Sequence, residues 1–459
     1  MPRTAPFALT LVVLAGFAVA TTVAAAVLGN PEVASVFDNG AHGNRDARGA
    51  AVSAAGRYVA FTSTAALAGV PTARVLQLYV RDRVAGRTLL ASANAAGQAA
   101  DDDVDDPSAH RAYAISGDGR YAVFASRATN LVDDDRDGAD MDVFRNDLVT
   151  GAVALVSRAP GGVQANGSVA GDPDVSYDGS RVVFETGSGA TNLWPDDTDN
   201  ASDIVMRDIA FDTNVLVSVT GAGLPASQVG GAAISADGRH VAFEAGSAVL
   251  VRDLATSSTI TAASTGAAPD ISGDGQVVAY EAGSVRARAL GASEEIIASA
   301  GSAPSISADG RRVAFEGARP NAPFVDVYVR DRPGGATQRV SERLNGTQVD
   351  HDSTRGAISG NGAIVAFGLD DAGPGPSLAA DDTNGLADVL VATLAPSDAA
   401  GPQIAVAAPA DGAAVDAATV TVRGTATDPA GIVSVSAGGF PAAVGPAGDF
   451  SLEVPLNVG

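Results

Sequence analysis

The chain has 459 residues, with 53 acidic against 29 basic side chains and a formal net charge of -24 at pH 7; so acidic a balance repels nucleic acid and anionic lipid. There is no cysteine, which excludes disulfides, thiolate metal sites and a cysteine nucleophile, and no lysine, which excludes a Schiff base or a P-loop lysine. Four histidines and one tryptophan leave little material for acid–base chemistry near neutral pH, and the length suits three ordinary domains or one large all-β domain plus a small one.

Residues 1–26 read as a secretory signal peptide. Arg3 supplies a basic start, 7–20 are almost wholly apolar, and cleavage fits after Ala20 or Ala26, each preceded by small residues. Counted to Leu28, the same run would just span a bilayer as an uncleaved anchor. No later stretch is long and apolar enough for a transmembrane helix, so the mature chain is expected to be exported, to the periplasm, the cell surface or the medium, with no membrane span.

After an isolated strand over 33–37, one unit recurs seven times. Its first copies are Ser53-Ala54-Ala55-Gly56-Arg57-Tyr58-Val59-Ala60-Phe61 and Ser116-Gly117-Asp118-Gly119-Arg120-Tyr121-Ala122-Val123-Phe124. The others centre on Gly179, Gly238, Gly275, Gly310 and Gly362, each with an aromatic five residues on: Phe184, Phe243, Tyr280, Phe315 and Phe367. Successive glycines lie 63, 60, 59, 37, 35 and 52 residues apart. The shortest interval sets a unit of about 36 residues, the size of one four-stranded propeller blade. Each unit resolves into a short strand ending in serine, an Asp-Gly hairpin turn, a Val-Ala-Phe strand, a third strand ending in Arg-Asp, and a fourth. No stretch keeps a 3.6-residue apolar period, so helices are not expected. Strands at this spacing also suit a sandwich, but seven like units favour a closed ring.

The seventh unit runs from its third strand, 388–391, straight into Ala395-Pro396 with no fourth. The strand over 33–37 is expected to fill that place and so remove the free edges of the ring. The repeat Ser-x-Asp-Gly-Arg-Tyr-Val-Ala-Phe, followed by Asp-Val-Tyr-Val-Arg-Asp, resembles that of TolB-like, WD40-like β-propellers across roughly 33–394. The resemblance implies a propeller over 31–395 serving as a binding platform or an enzyme appendage. The small domain that precedes the propeller in TolB is not expected before this one.

A linker over 396–401 leads to 402–459, where Val, Thr and Ala alternate in expected strands at 403–407, 418–426, 432–436 and 450–454. Thr425-Ala426-Thr427-Asp428-Pro429-Ala430-Gly431-Ile432 resembles bacterial Ig-like modules. A sandwich of that kind needs roughly 80–100 residues, so an incomplete Ig-like domain is expected here.

The acidic stretches 101–106, 133–142, 196–200 and 381–385 fall in loops opposite the Asp-Gly turns, so one face should be strongly negative. Asp133-x-Asp135-x-Asp137-Gly138 has the start of a calcium loop: alternate carboxylates on a tight turn converge on one point. An EF-hand would place glutamate where Phe144 stands, so the site must recruit Asp140, Asp142, a carbonyl or water. The other reading is a solvated acidic loop held by its own Asx turns. The loops at Asp196 and Asp381 each lack one carboxylate of the pattern. Glu185, Glu244, Glu281 and Glu316 read as strand-edge partners of arginine or as acids lining a pore. His42, Asn166, Gln348 and Asp350 lie on the acidic face, as turn supports or a polar rim.

No Gly-x-Ser-x-Gly elbow occurs, and His42, His110, His240 and His351 fall in different units. The expected function is a non-enzymatic, monomeric binding platform, calcium-stabilised, taking a protein or glycan ligand on its acidic face. The alternative is a carbohydrate-active hydrolase or lyase that uses carboxylates of that face.

Overall fold

The computed structural model describes residues 27–395, apart from 105–111, 196, 198–199, 224, 321, 344, 347–349, 371–376, 380–381 and 383, together with the strands between 403 and 455. Residues 1–26, read above as a signal peptide, and His110, Asp196, Gln348 and Asp381 lie outside the described residues. Among the described residues there is no helix, and so none long and apolar enough to cross a membrane.

Seven four-stranded antiparallel sheets follow one another along the chain. Blade 1 is Ala47–Val52, Tyr58–Ser63, Gln77–Asp82 and Arg87–Leu90, and blade 2 is Tyr113–Ile115, Tyr121–Ser126, Asp142–Asp147 and Ala152–Leu155. Blades 3 to 6 repeat the pattern from Val169–Val175, Val229–Ile234, Ala267–Ile271 and Ser302–Ile306. Blade 7 is Ser353–Ile358, Ile364–Leu369 and Asp388–Thr393, with Glu32–Val33 as its outer strand. Each sheet packs against the next and the seventh against the first, so the sheets form a ring, a β-propeller.

The Ser-x-Asp-Gly turn makes both the hairpin and the ring. Ser116 Oγ donates to Asp118 Oδ1 and accepts the Tyr121 N–H, while the Gly119 N–H bonds the Ser116 carbonyl. Ser176, Ser235, Ser272 and Ser307 repeat this with their aspartates, and Ser359 does so with Asn361. Gly119 has φ +75, and a Cβ there would collide with the Tyr58 ring of the preceding blade. Glycine is therefore needed for conformation and for close approach together. The residue after each serine then bridges blades. Ala54 N–H donates to the Gly117 carbonyl (2.9 Å), Asp118 to Tyr177 (2.9 Å), Tyr177 to Ala236 (2.9 Å), and Ala236 to Gly273 (3.0 Å). Gly273 donates to Ala308 (3.0 Å), Ala308 to Gly360 (2.8 Å), and Asn361 back to Ala54 (2.9 Å), closing the circle.

In five blades the two ends of the repeat also meet. Arg57, Arg120, Arg181, Arg239 and Arg312, just after the turns, pair with Asp82, Asp147, Asp208, Asp253 and Asp331 at the ends of the third strands. Asp82 also caps its own next turn through the Val84 and Ala85 N–H groups. The repeat aromatics are packed between blades: Phe61, Phe124, Phe184, Phe243, Tyr280 and Phe367 are wholly buried, and Phe315 nearly so.

Closure follows the expected plan with a shifted boundary. Glu32 pairs with Val391 and Val33 with Leu390, and Ala34 N–H bonds the Val389 carbonyl at 2.7 Å. Pairing stops there rather than running to Phe37, because Ser35 turns its hydroxyl to Asp388 and Val36 bridges to His42 in a hairpin. The glutamates also differ from expectation. Glu244, Glu281 and Glu316 neither pair with arginine across a strand edge nor stand free in a pore. Each accepts the N–H of a left-handed residue on the next blade's inner strand: Ala268 (2.6 Å), Ala303 (2.5 Å) and Arg355 (2.6 Å). That bond satisfies the amide which the bulge in each inner strand leaves unpaired.

Residues 25–395 form one compact unit, and the C-terminal strands belong to another. There Gln403–Ala408, Thr419–Thr427, Asp449–Pro455, Phe440–Val444 and Val435–Ala437 pair in that order as a five-stranded sheet. The strand at Phe440–Val444 was not expected from the sequence.

Two outcomes follow from the packing. Deleting 31–36 removes the outer strand of blade 7 and should lower the melting midpoint and raise light scattering, since a bare edge recruits other strands. Phe243→Ala, in the inter-blade core, should lose about 3–5 kcal/mol in urea unfolding, whereas Phe211→Ala, at an exposed turn, should change stability by no more than about 0.5 kcal/mol.

Candidate metal centre

Because the strands are antiparallel, loops joining second to third strands emerge at the end opposite the Asp-Gly turns. Five blades place a carboxylate or amide at the start of the third strand there: Gln77, Asp142, Asp203, Asp326 and Asp388, all buried. A serine holds each one: Ser92, Ser157, Ser218, Ser341 and Ser35 donate to them in turn. The same hydroxyls accept the N–H of Leu78, Val143, Ile204, Val327 and Val389. The serine thus latches the outer strand to the head of the third.

Burying a carboxylate is unfavourable unless its charge is met, and the blades meet it differently. In blade 6, burial pushes Asp326 up, but Arg319, Arg339 and Ser341 more than offset this and hold it below the usual carboxylate range. Blade 1 avoids the charge by using Gln77. Blade 2 gathers more acids instead. Asp135, Asp137 and Asp142 bring carboxylate oxygens within 4.8 Å of one another. Gln164 Nε2 donates to Asp142 Oδ2 (2.8 Å) and Asp135 Oδ1 (3.1 Å). Both oxygens of Asp137 are buried with no hydrogen-bond partner. Burial, and then the Asp135 carboxyl, push Asp137 up to about 6, and burial pushes Asp142 up to about 7 against the pull of Ser157. Gly138 has φ +79, which lets the loop turn Asp137 back towards the blade.

Of the five aspartates expected to ligate, the structure therefore brings together Asp135, Asp137 and Asp142. Asp140 accepts a hydrogen bond from Ser168 Oγ at 2.9 Å, and Asp133 is exposed. An all-oxygen set of this kind could hold a hard divalent cation, whose charge would stabilise three ionised carboxylates at once. Gln164 was missed from sequence. It lies seven residues after Ser157, in register with Arg158 across a short hairpin, as His42 lies seven after Ser35 and bridges Val36. That shared spacing was the available signal.

The inner strands of all seven blades line a central channel of about 270 Å³. Its acids are largely engaged in joining blades: Asp174 and Asp270 accept the N–H of Ile234 and Ile306, and Glu281 that of Ala303.

No protein-family model matches the chain, and no curated protein matches it. Among solved structures, it is similar to TolB from Acinetobacter baumannii at 15% identity and TM-score 0.34, covering 56% of this chain and 60% of that one. It is similar to the oligogalacturonate lyase of Vibrio parahaemolyticus at 12% identity and TM-score 0.45, covering 80% and 91%. The β-propeller domain of the trilobed protease from Pyrococcus furiosus matches at 12% identity and TM-score 0.40, over 70% and 93%. These likenesses are distant, and the propeller stands on the ring of sheets and on the repeat itself. On those two grounds the chain folds as a β-propeller.

Proposed function

We propose that this chain is an exported, non-enzymatic binding platform whose acidic loop face is stabilised by calcium and takes a protein or glycan ligand. The observation that carries the cation is Asp137: both its oxygens are buried without a donor, between Asp135 and Asp142. The donor set is oxygen throughout, as a hard cation prefers. The platform reading is supported by the channel, where Asp174, Asp270 and Glu281 accept backbone amides of the next blade. Export rests on the apolar segment at 7–20 and the small residues after it.

Thermal unfolding with calcium, magnesium and chelator tests this reading. Binding to the folded state alone adds about 2.7 kcal/mol at a hundredfold excess over Kd, or several degrees at about 2–4 °C per kcal/mol for a domain this large. Asp135→Ala with Asp137→Ala should erase the calcium shift and leave the chelated midpoint close to the parent's. Magnesium, which demands a tighter octahedral shell, should do less. Equal shifts from both cations, retained in the double variant, would mean diffuse screening of surface charge. Turnover of a glycan by the purified protein, lost on one aspartate substitution in that face, would replace the platform with an enzyme.

A further inference from the structure

The serine latch of blade 7 is assembled from the two ends of the propeller, and its surroundings differ from those in blade 2. Asp388 Oδ1 accepts from Ser35, and Asp388 Oδ2 accepts from Asn384 Nδ2 at 3.3 Å. Beside it the Asp382 side chain is fully buried, 0% exposed. Its Oδ1 receives only a long bond from the Asn384 N–H (3.3 Å), and its Oδ2 has no hydrogen-bond partner. His42 Nδ1 stands 3.5 Å from Asp382 Oδ1 and 3.8 Å from Asp388 Oδ2. Those separations are too long for hydrogen bonds. They match two ligands on one tetrahedral ion, which lie about 3.4 Å apart when each bond is about 2.1 Å. One ligand atom from each residue falls within 4.8 Å of the others.

We infer that His42, Asp382 and Asp388 form a second metal site, for zinc or a similar borderline cation, that clasps the N-terminal segment to the last blade. The preference follows from the ligand atoms. An imidazole nitrogen with two carboxylates suits zinc, whereas the oxygen-only cluster of blade 2 suits calcium. His42 and Gln164 hold the same position in their blades, seven residues after the latch serine. Exchanging an amide for an imidazole there changes which ion the loop prefers. His42 retains 16% exposure, leaving a side open for water as a further ligand. The ion would join residues 340 and 346 positions apart in the chain, across the one seam of the ring that no continuous strand order secures. Unlike the blade 2 loop, this site would couple metal binding directly to ring closure.

The test uses the full chain carrying Asp135→Asn and Asp137→Asn, so that the blade 2 loop is silent and the calcium reading stands or falls separately. Zinc is titrated calorimetrically into chelator-stripped protein, and unfolding is followed with and without zinc. The expected result is one zinc per chain and a raised midpoint. His42→Gln and Asp382→Asn should each weaken binding by at least about tenfold, the scale seen when even the outer supports of a metal ligand are removed. His42→Gln places here the side chain that blade 2 already accommodates, so its metal-free midpoint should match the parent's, separating lost ligation from lost fold. If zinc does not bind, or binds His42→Gln as tightly as the parent, the cluster is an ion pair between imidazolium and two carboxylates, and the inference is wrong. A zinc-bound parent that shows no rise in midpoint would refute the clasp.

Discussion

The constraint on which the molecule depends is the circle of backbone hydrogen bonds joining the seven repeat turns, five of them Ser-x-Asp-Gly. Each turn has one spare carbonyl at the residue after its serine and one spare N–H at that residue or, at Asp118 and Asn361, the next, and these bond the two neighbouring blades. A four-stranded sheet offers no such groups on its faces, so blades would otherwise be held only by apolar packing, which is not directional. The turn supplies direction. It ties each inner strand's end to that of the next blade, and the seventh link brings Asn361 back to Ala54. The serine, aspartate and glycine of the repeat are the residues that one turn needs: an oxygen for the amide beyond it, an acceptor for that serine, and a left-handed residue against the adjacent blade.

The opposite face follows a second rule. There, in five blades, a serine latch buries a polar group at the head of the third strand, and its charge is avoided or met in different ways. Blade 1 has an amide, blade 6 two arginines, and blades 2 and 7 further acids with Gln164 or His42. A low-dielectric site amplifies attraction and repulsion alike. The same latch is therefore a rigid ion pair in one blade and a candidate cation site in another. The chemistry of the latch varies around the ring through these substitutions, while the turns on the other face stay nearly uniform.

Between the two faces, the inner strands carry left-handed bulge residues whose amides are taken by Glu244, Glu281 and Glu316 of the preceding blade. In the sequence these glutamates read as strand-edge partners of arginine or as acids lining a pore. Each is committed to a neighbouring backbone. The channel is thus a joint rather than an open acidic pore.

The repeat alone determined the number of blades, the turn chemistry, the inter-blade aromatics and the need for a strand from the N-terminus to complete blade 7, because these depend on local geometry that recurs at fixed spacing. The calcium-like pattern of 133–142 was equally legible, as were its carboxylates, but not which of them meet. Asp140 and Asp142 are two residues apart, yet one turns to Ser168 and the other into the blade. That choice rests on Ser157 and Gln164, which arrive from a later hairpin. The roles of the glutamates, the shortened closing strand and the meeting of His42 with Asp382 and Asp388 were also decided in three dimensions. Each joins residues from different blades or from opposite ends of the ring, and local sequence pattern carries no information about a contact until closure brings its two sides together.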